Sequence, residues 1–222
     1  MTEEEYNAQL QAATKFIVDS KTESVNYKES AELYKKTNDK TLEIVRLGTC
    51  GAIQPDIPLG SFVLSHYSVG FDGLLNWYAD REKVTDLDME AAFMQHMHWP
   101  ASLPIPYFVH SSQRIIDHLA DCTVKGMTIA APGFYGPQGR VVRQELAMPD
   151  MIEDFESFEF GGFKITNFEM EGSAPAGIAA KLGHEAATIC CAIAHRYHKA
   201  ANTNYKPRVA ELLVLALDKL SA

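Results

Sequence analysis

Arg46, Gly48, Thr49 and Gly51 fall within one short stretch, Arg46-Leu-Gly-Thr-Cys-Gly51. A guanidinium supplies a fork of N–H donors, threonine a hydroxyl, and the glycines allow backbone N–H groups to approach a ligand. Together they suit an oxyanion such as phosphate. The spacing alone is common, and a surface arginine beside an ordinary turn has the same letters. A second group is Phe134, Gln138 and Arg140, in a loop rich in Pro and Gly that runs from Pro132. An aromatic face, an amide that donates and accepts, and a guanidinium can stack on a planar heterocycle and read its edge. A plain surface loop anchored by Phe134 is the competing reading. The third group, Glu169-Met170-Glu171, lies at a predicted helix start, where the helix dipole favours carboxylates without any ligand. Its functional alternative has Glu171 accepting hydrogen bonds from neighbouring sugar hydroxyls while Met170 packs on the sugar ring. His195-Arg196, after a very apolar run, adds a fourth polar pair.

Metal and thiol chemistry have weaker support. Among the eight histidines only His96 and His98 are closely spaced. They lack a clear acidic or thiol partner, so they read as a polar segment running into Trp99-Pro100 rather than as metal ligands. The four cysteines, Cys50, Cys122, Cys190 and Cys191, contain no Cys-x-x-Cys. Cys190 and Cys191 would point to opposite faces of a strand, and all four are expected to be reduced thiols of the core.

The elements that must position these groups follow from periodicity. In residues 1–22, Thr2 and Glu5 have capping-box spacing, and Tyr6, Leu10, Ala13, Phe16 and Ile17 share one face, predicting an amphipathic helix. Residues 23–41 are polar, with a short helix predicted over 29–36. Strands are predicted at 42–47, 61–69, 107–110, 126–131, 163–167 and 186–194. Helices are predicted at 86–97, 113–119, 152–158, 173–182 and 205–220. This alternation gives an α/β domain with a largely parallel or mixed sheet. In open sheets of that kind ligands bind off the carboxyl ends of strands, which is where all four polar groups are predicted to lie.

Composition narrows the function further. The chain has 222 residues, 46% hydrophobic and 22% charged, with a net charge of −9. That length suits one large domain, or at most two small ones, and a chain of that size needs no disulfide or metal to hold it together. The acidic balance argues against a sequence-independent nucleic-acid binder. No apolar run reaches the roughly 18 residues of a spanning helix. The start, Met1-Thr2-Glu3-Glu4-Glu5, is acidic where a signal peptide is basic. A soluble, cytoplasmic protein with no membrane partner is expected.

Taken in order, these segments resemble the nucleoside phosphorylase-I family, and within it the uridine phosphorylase branch. Arg46-Leu-Gly-Thr-Cys-Gly-Ala-Ile-Gln-Pro55 is similar to that branch's phosphate-strand motif, and Gly60-Ser-Phe-Val to the strand that follows it. Phe134 with Gln138-Gly-Arg140 resembles the uracil-recognition loop, and Asn167-Phe-Glu-Met-Glu171 the ribose motif. His195-Arg196 falls where the family carries its last base-side arginine. The resemblance spans roughly residues 42–220, leaving 1–41 as a helical N-terminal segment outside it and 42–222 as the phosphorylase-like α/β domain.

The resemblance implies a three-layer α/β sandwich with a central mixed sheet. It also implies reversible phosphorolysis of a pyrimidine nucleoside to free base and ribose 1-phosphate. Arg46 and Thr49 would bind phosphate. Gln138 and Arg140 would bond the uracil edge, with Gly51 and Phe134 lining the base and Arg196 supporting it. Met170 and Glu171 would hold the ribose, and Arg46, Arg140 and Glu171 would carry catalysis. Purine-specific relatives use an aspartate where this chain has His195, which favours a pyrimidine. No cofactor or metal is implied beyond inorganic phosphate as co-substrate, and a homodimer or larger homo-oligomer is expected. Ahead of Arg46 the family has a strand with a Gly-Asp-Pro-x-Arg phosphate loop and a second strand with a Gly-rich turn; residues 1–41 show neither, leaving room for a sheet without its first strands. Two rival expectations follow, a degenerate member that binds nucleoside or serves in assembly, and a nucleosidase that uses water. The change to Gly172, where serine is common, carries little weight on sequence grounds.

Overall fold

The carboxyl-terminal half of the first strand sets the architecture. In the computed structural model, which describes residues 41–221, β1 (Glu43–Ala52) runs unbroken through Gly48 and Gly51. The glycines therefore do not form a turn. They are strand residues whose missing side chains make room for neighbours, as glycine in a strand often does. The helices predicted over 1–22 and 29–36 lie outside the described residues.

The sheet is mixed and closes on itself. β2 (Phe62–Gly70) pairs antiparallel with β3 (Tyr107–His110) and parallel with β4 (Val124–Ala130). β4 pairs parallel with β6 (Phe163–Glu169), which meets β1 antiparallel through Gly51↔Phe168 and Ala52↔Asn167. β1 runs parallel to β7 (Glu185–His195), and β7 returns to β2 through Phe62↔Cys191. Short strands β5 (Glu159–Phe160) and β8 (Ala200–Ala201) extend β6 and β7.

A narrow ring leaves little interior space, and side chains fill it. Cys50, Ala52, Val63, Cys190 and Ala192 pack there as one small buried cluster. Beside them Ser65 Oγ donates to Thr128 Oγ1 at 2.6 Å, and Thr128 Oγ1 donates to Asn167 Oδ1 at 2.9 Å. Gly126 is required at this spot, because a Cβ there would lie 2.1 Å from Thr166 Cγ2. Cys191 belongs to a different cluster from Cys190, so the two thiols do take opposite faces, and all four cysteines are free.

Two apolar layers cover the outside of the ring. Helices α1 (Leu87–His96) and α3 (Met151–Ser157) pack Phe93, Met151 and Phe155 against Met127, Ile129 and Phe168. Helices α2 (Gln113–Leu119) and α5 (Lys206–Leu220) pack Ile115, Leu119 and Leu212 against Leu64 and Ile189. Helix α4 (Ser173–Lys181) follows β6. Asp86 and Ser112 cap α1 and α2 by accepting from Met89 N–H at 2.9 Å and Ile115 N–H at 3.2 Å. His96 Nε2 lies 2.9 Å from the Asp154 carbonyl, so His96 ties α1 to α3. Among the described residues no group of three or more His, Cys, Asp or Glu could hold a metal. No helix there is long and apolar enough to cross a membrane.

Candidate active site

Arg46 lies in the first half of β1, not at its carboxyl end. It reaches the other polar groups because β6 is antiparallel to β1. Where β6 ends at Glu169, the chain continues as Met170-Glu171 back along β1. Arg46 Nη1 sits 3.0 Å from Glu169 Oε2, Nη2 pairs with Glu171 Oε2, and Nη1 also donates to Cys190 Sγ at 3.5 Å. The guanidinium lies across Gly48, where a Cβ would be 2.6 Å from Nη1. Burial would lower the pKa of Arg46, but Glu169, Cys190 and Glu171 together hold it above the ordinary value.

Glu169 is the last strand residue rather than part of a helix start, correcting the sequence expectation. It is buried, and its carboxylate accepts from Glu171 N–H at 2.9 Å and Gly172 N–H at 2.8 Å. Burial raises its pKa, and the Arg46 charge with the two N–H donors offsets this only in part. Gly172 matters more than the sequence suggested. A Cβ there would lie 2.8 Å from Thr188 Oγ1 and 2.9 Å from Glu169 Oε1. Glu171 remains largely open to solvent and Met170 partly so.

The second cluster centres on Gln138, in a tight helical turn (Gly136–Gln138) within the loop that follows β4. Gln138 is buried. Its Oε1 accepts from Arg140 Nη1 at 2.8 Å and from Arg196 Nη2 at 3.1 Å; its carbonyl also accepts from Arg196 Nη2 at 2.8 Å. Two cations thus fix the oxygen, and the Nε2 protons are committed to neither. The Arg140 guanidinium stacks 3.7 Å above the Phe134 ring, and half of Phe134 is exposed. No carboxylate among the described residues pairs with Arg140 or Arg196. Burial lowers the pKa of Arg140. Burial, then repulsion from Arg140, lowers that of Arg196 to about 10. Arg196 Nε is buried without an acceptor among the described residues.

The two clusters share a wall. A Cβ on Gly51 would lie 4.0 Å from Arg196 Nε, and Arg196 sits 5.4 Å over the ring of Phe168, the residue before Glu169. The structure therefore brings together Arg46 with Glu171, and Gly51, Phe134, Gln138 and Arg140 with Arg196. It does not place Thr49 among the partners of Arg46. The two lie three apart on a continuous strand, which turns their side chains to opposite faces. His195 is buried with its ring 4.3 Å from that of His198, facing away from the contacts of Arg196. Glu169 escaped the sequence reading as a partner of Arg46. The available signal was its two-residue spacing from Glu171, which in extended chain puts both carboxylates on one face.

A closed mixed sheet with an arginine clamped at its rim and a paired-guanidinium loop beside it has the fold of a nucleoside phosphorylase, and the chain belongs to the phosphorylase superfamily, whose family model matches residues 24–218. Among individual relatives it is similar to the uridine phosphorylase of Thermococcus kodakarensis, with 27% identity over 160 residues. That alignment covers 68% of this chain but 48% of the relative, so the chain spans about half of that protein's length. The crystal structure of a Trypanosoma brucei nucleoside phosphorylase, described as showing uridine phosphorylase activity, superposes with a TM-score of 0.68 at 25% identity. It covers 81% of this chain and 64% of the trypanosome chain.

Proposed function

We propose that the chain is a uridine phosphorylase-like pentosyltransferase, cleaving a pyrimidine nucleoside with inorganic phosphate. The observation that carries this reading is the convergence of Arg140 and Arg196 on Gln138 without a counter-carboxylate among the described residues. In phosphorolysis the bond between base nitrogen and anomeric carbon breaks, and the base departs with the electron pair. A phosphate oxygen bonds to the anomeric carbon, giving ribose 1-phosphate, and the base takes up a proton. Two guanidiniums facing the departing base stabilise charge that exists only as the bond breaks, the condition for lowering the barrier. Their mutual repulsion, which contributes to the lowered pKa of Arg196, is relieved by the same negative charge.

Glu171 and Met170, exposed beside Arg46, would hold the ribose, and Arg46 would turn from Glu171 to phosphate when both substrates are bound. Thr49 would contribute through its backbone rather than through a hydroxyl aligned with Arg46. The relatives named as uridine phosphorylases support a pyrimidine substrate. The test is synthesis in the reverse direction. Uracil with ribose 1-phosphate should yield uridine and phosphate, while hypoxanthine with the same sugar phosphate should yield no inosine. Preferential synthesis of inosine would overturn the pyrimidine reading.

A further inference from the structure

Gly136 and Pro137 not only carry Gln138; they also wall a cavity of about 390 Å³ on the outer side of the sheet. Its aromatic floor is Phe71 and Trp99, with ring centroids 4.9 Å apart. Leu103, Met148 and Met151 complete the apolar lining, and the two methionines are buried. The volume falls within the range of small-molecule sites, which combine an apolar lining with a few placed polar groups. Neither Gln138, Arg140 and Arg196 nor Arg46 and Glu171 line it, so it is separate from the site described above.

The charges at the cavity have one sign. Among the described residues Asp72 and Glu145 line it, and no lysine or arginine does. Asp72 is held in place: Oδ1 accepts from Leu74 N–H at 2.9 Å and from Tyr107 O–H at 2.8 Å, and Oδ2 accepts from Ser173 O–H at 3.3 Å. The indole N–H of Trp99 is already spent on the Pro104 carbonyl at 3.0 Å. The cavity thus presents aromatic faces and fixed acceptors, a combination that favours a cation with an apolar body.

We infer that this cavity binds a small organic amine with one aromatic or alicyclic ring. The ring lies against Trp99 and Phe71, and the ammonium faces Asp72 and Glu145 at the mouth. An anion of the same shape meets two carboxylates there and is rejected.

The test uses the full chain with methyl-labelled methionines and two probes of matched shape, 2-phenylethylamine and 3-phenylpropionate, without uridine or phosphate. The amine should shift the Met148 and Met151 methyl signals saturably and leave Met170 unmoved, while the carboxylate binds at least tenfold more weakly. Leu103→Trp, which fills the space, should abolish the shifts. Asp72→Asn should weaken the amine about tenfold. If Asp72→Asn does not fold, Glu145→Gln, at an exposed residue, should still weaken the amine several-fold. Equal binding of the two probes, unmoved Met148 and Met151 signals up to the solubility limit, or undiminished binding to Leu103→Trp would overturn the inference. So would movement of the same two signals on protein dilution alone, because a second copy of the chain would then be the occupant. Turnover plays no part in the readout, so the inference and the proposed function can fail independently.

Discussion

At Gln138 the side-chain oxygen accepts from two guanidiniums, so removing one leaves the amide oriented by the other. Arg140→Ala therefore tests charge stabilisation more than positioning. It should lower the rate of uridine cleavage at least about tenfold if the proposed charged donor to the leaving base is lost. Equal rates for Arg140→Ala and the parent would show that the leaving-group assignment is wrong. At Glu169 the observable is pH. Folding raises its pKa, chiefly by burial, so the folded state favours the protonated carboxyl. The stability this contributes is fully present below the ordinary carboxylate value and is lost as pH rises through the folded-state value. In urea titrations the parent should lose stability relative to Glu169→Gln as pH rises above the ordinary carboxylate range. A pH-independent difference would contradict the raised value. The pairing of Arg46 with Glu171 was expected only as two neighbouring functions; that Glu169 completes the clamp depends on where β6 ends, which residue types alone do not reveal.

Among the elements, the five helices and the longer strands were legible because their apolar periodicities are strong and helix starts such as Asp86 are explicit, whereas the glycine-containing half of β1 and the two-residue strands β5 and β8 carry no such periodicity and were missed. The closure of the sheet was not legible. It depends on β2 pairing with both β4 and β7, a non-local choice that leaves no periodic signal in either partner. For the same reason the sequence placed Arg46 at the end of its own strand, whereas the antiparallel approach of β6 brings Glu169 and Glu171 to it. Tight glycines mark where these elements meet. Gly126→Ala would drive a methyl into Thr166 inside the ring and should destabilise the fold by about 1–3 kcal/mol, as overpacking generally does. Gly172→Ala meets Glu169 and Thr188 instead, and its backbone is already helical, with φ −66. It should lower the thermal midpoint and impair uridine cleavage together. Midpoints equal to the parent's for both variants would show that the ring and the Glu169 corner are looser than described.

For the whole molecule, self-association is the expectation from the sequence of residues 1–22, which lie outside the described residues, and Trp77 and Tyr78 expose adjacent aromatic surface, 87% and 48%, that a second copy could cover. Light scattering at micromolar concentration should give at least a dimer mass, and a monomer mass would contradict this. In the function we propose, one rim of the closed sheet joins a base-reading pair of arginines, Arg140 and Arg196, to a phosphate-accepting Arg46. Arg46, Glu169 and Glu171 sum to one negative charge when all are ionised, so phosphate has to compete with Glu171 for the guanidinium. Uracil should therefore bind more readily than phosphate does alone, and catalysis should require phosphate. The most direct measurement is uracil release from uridine with and without phosphate. Release that depends on phosphate and yields ribose 1-phosphate is the predicted result. Release at the same rate without phosphate would make water the nucleophile, and no release at any phosphate concentration would leave a binding or assembly protein; either outcome rules out phosphorolysis.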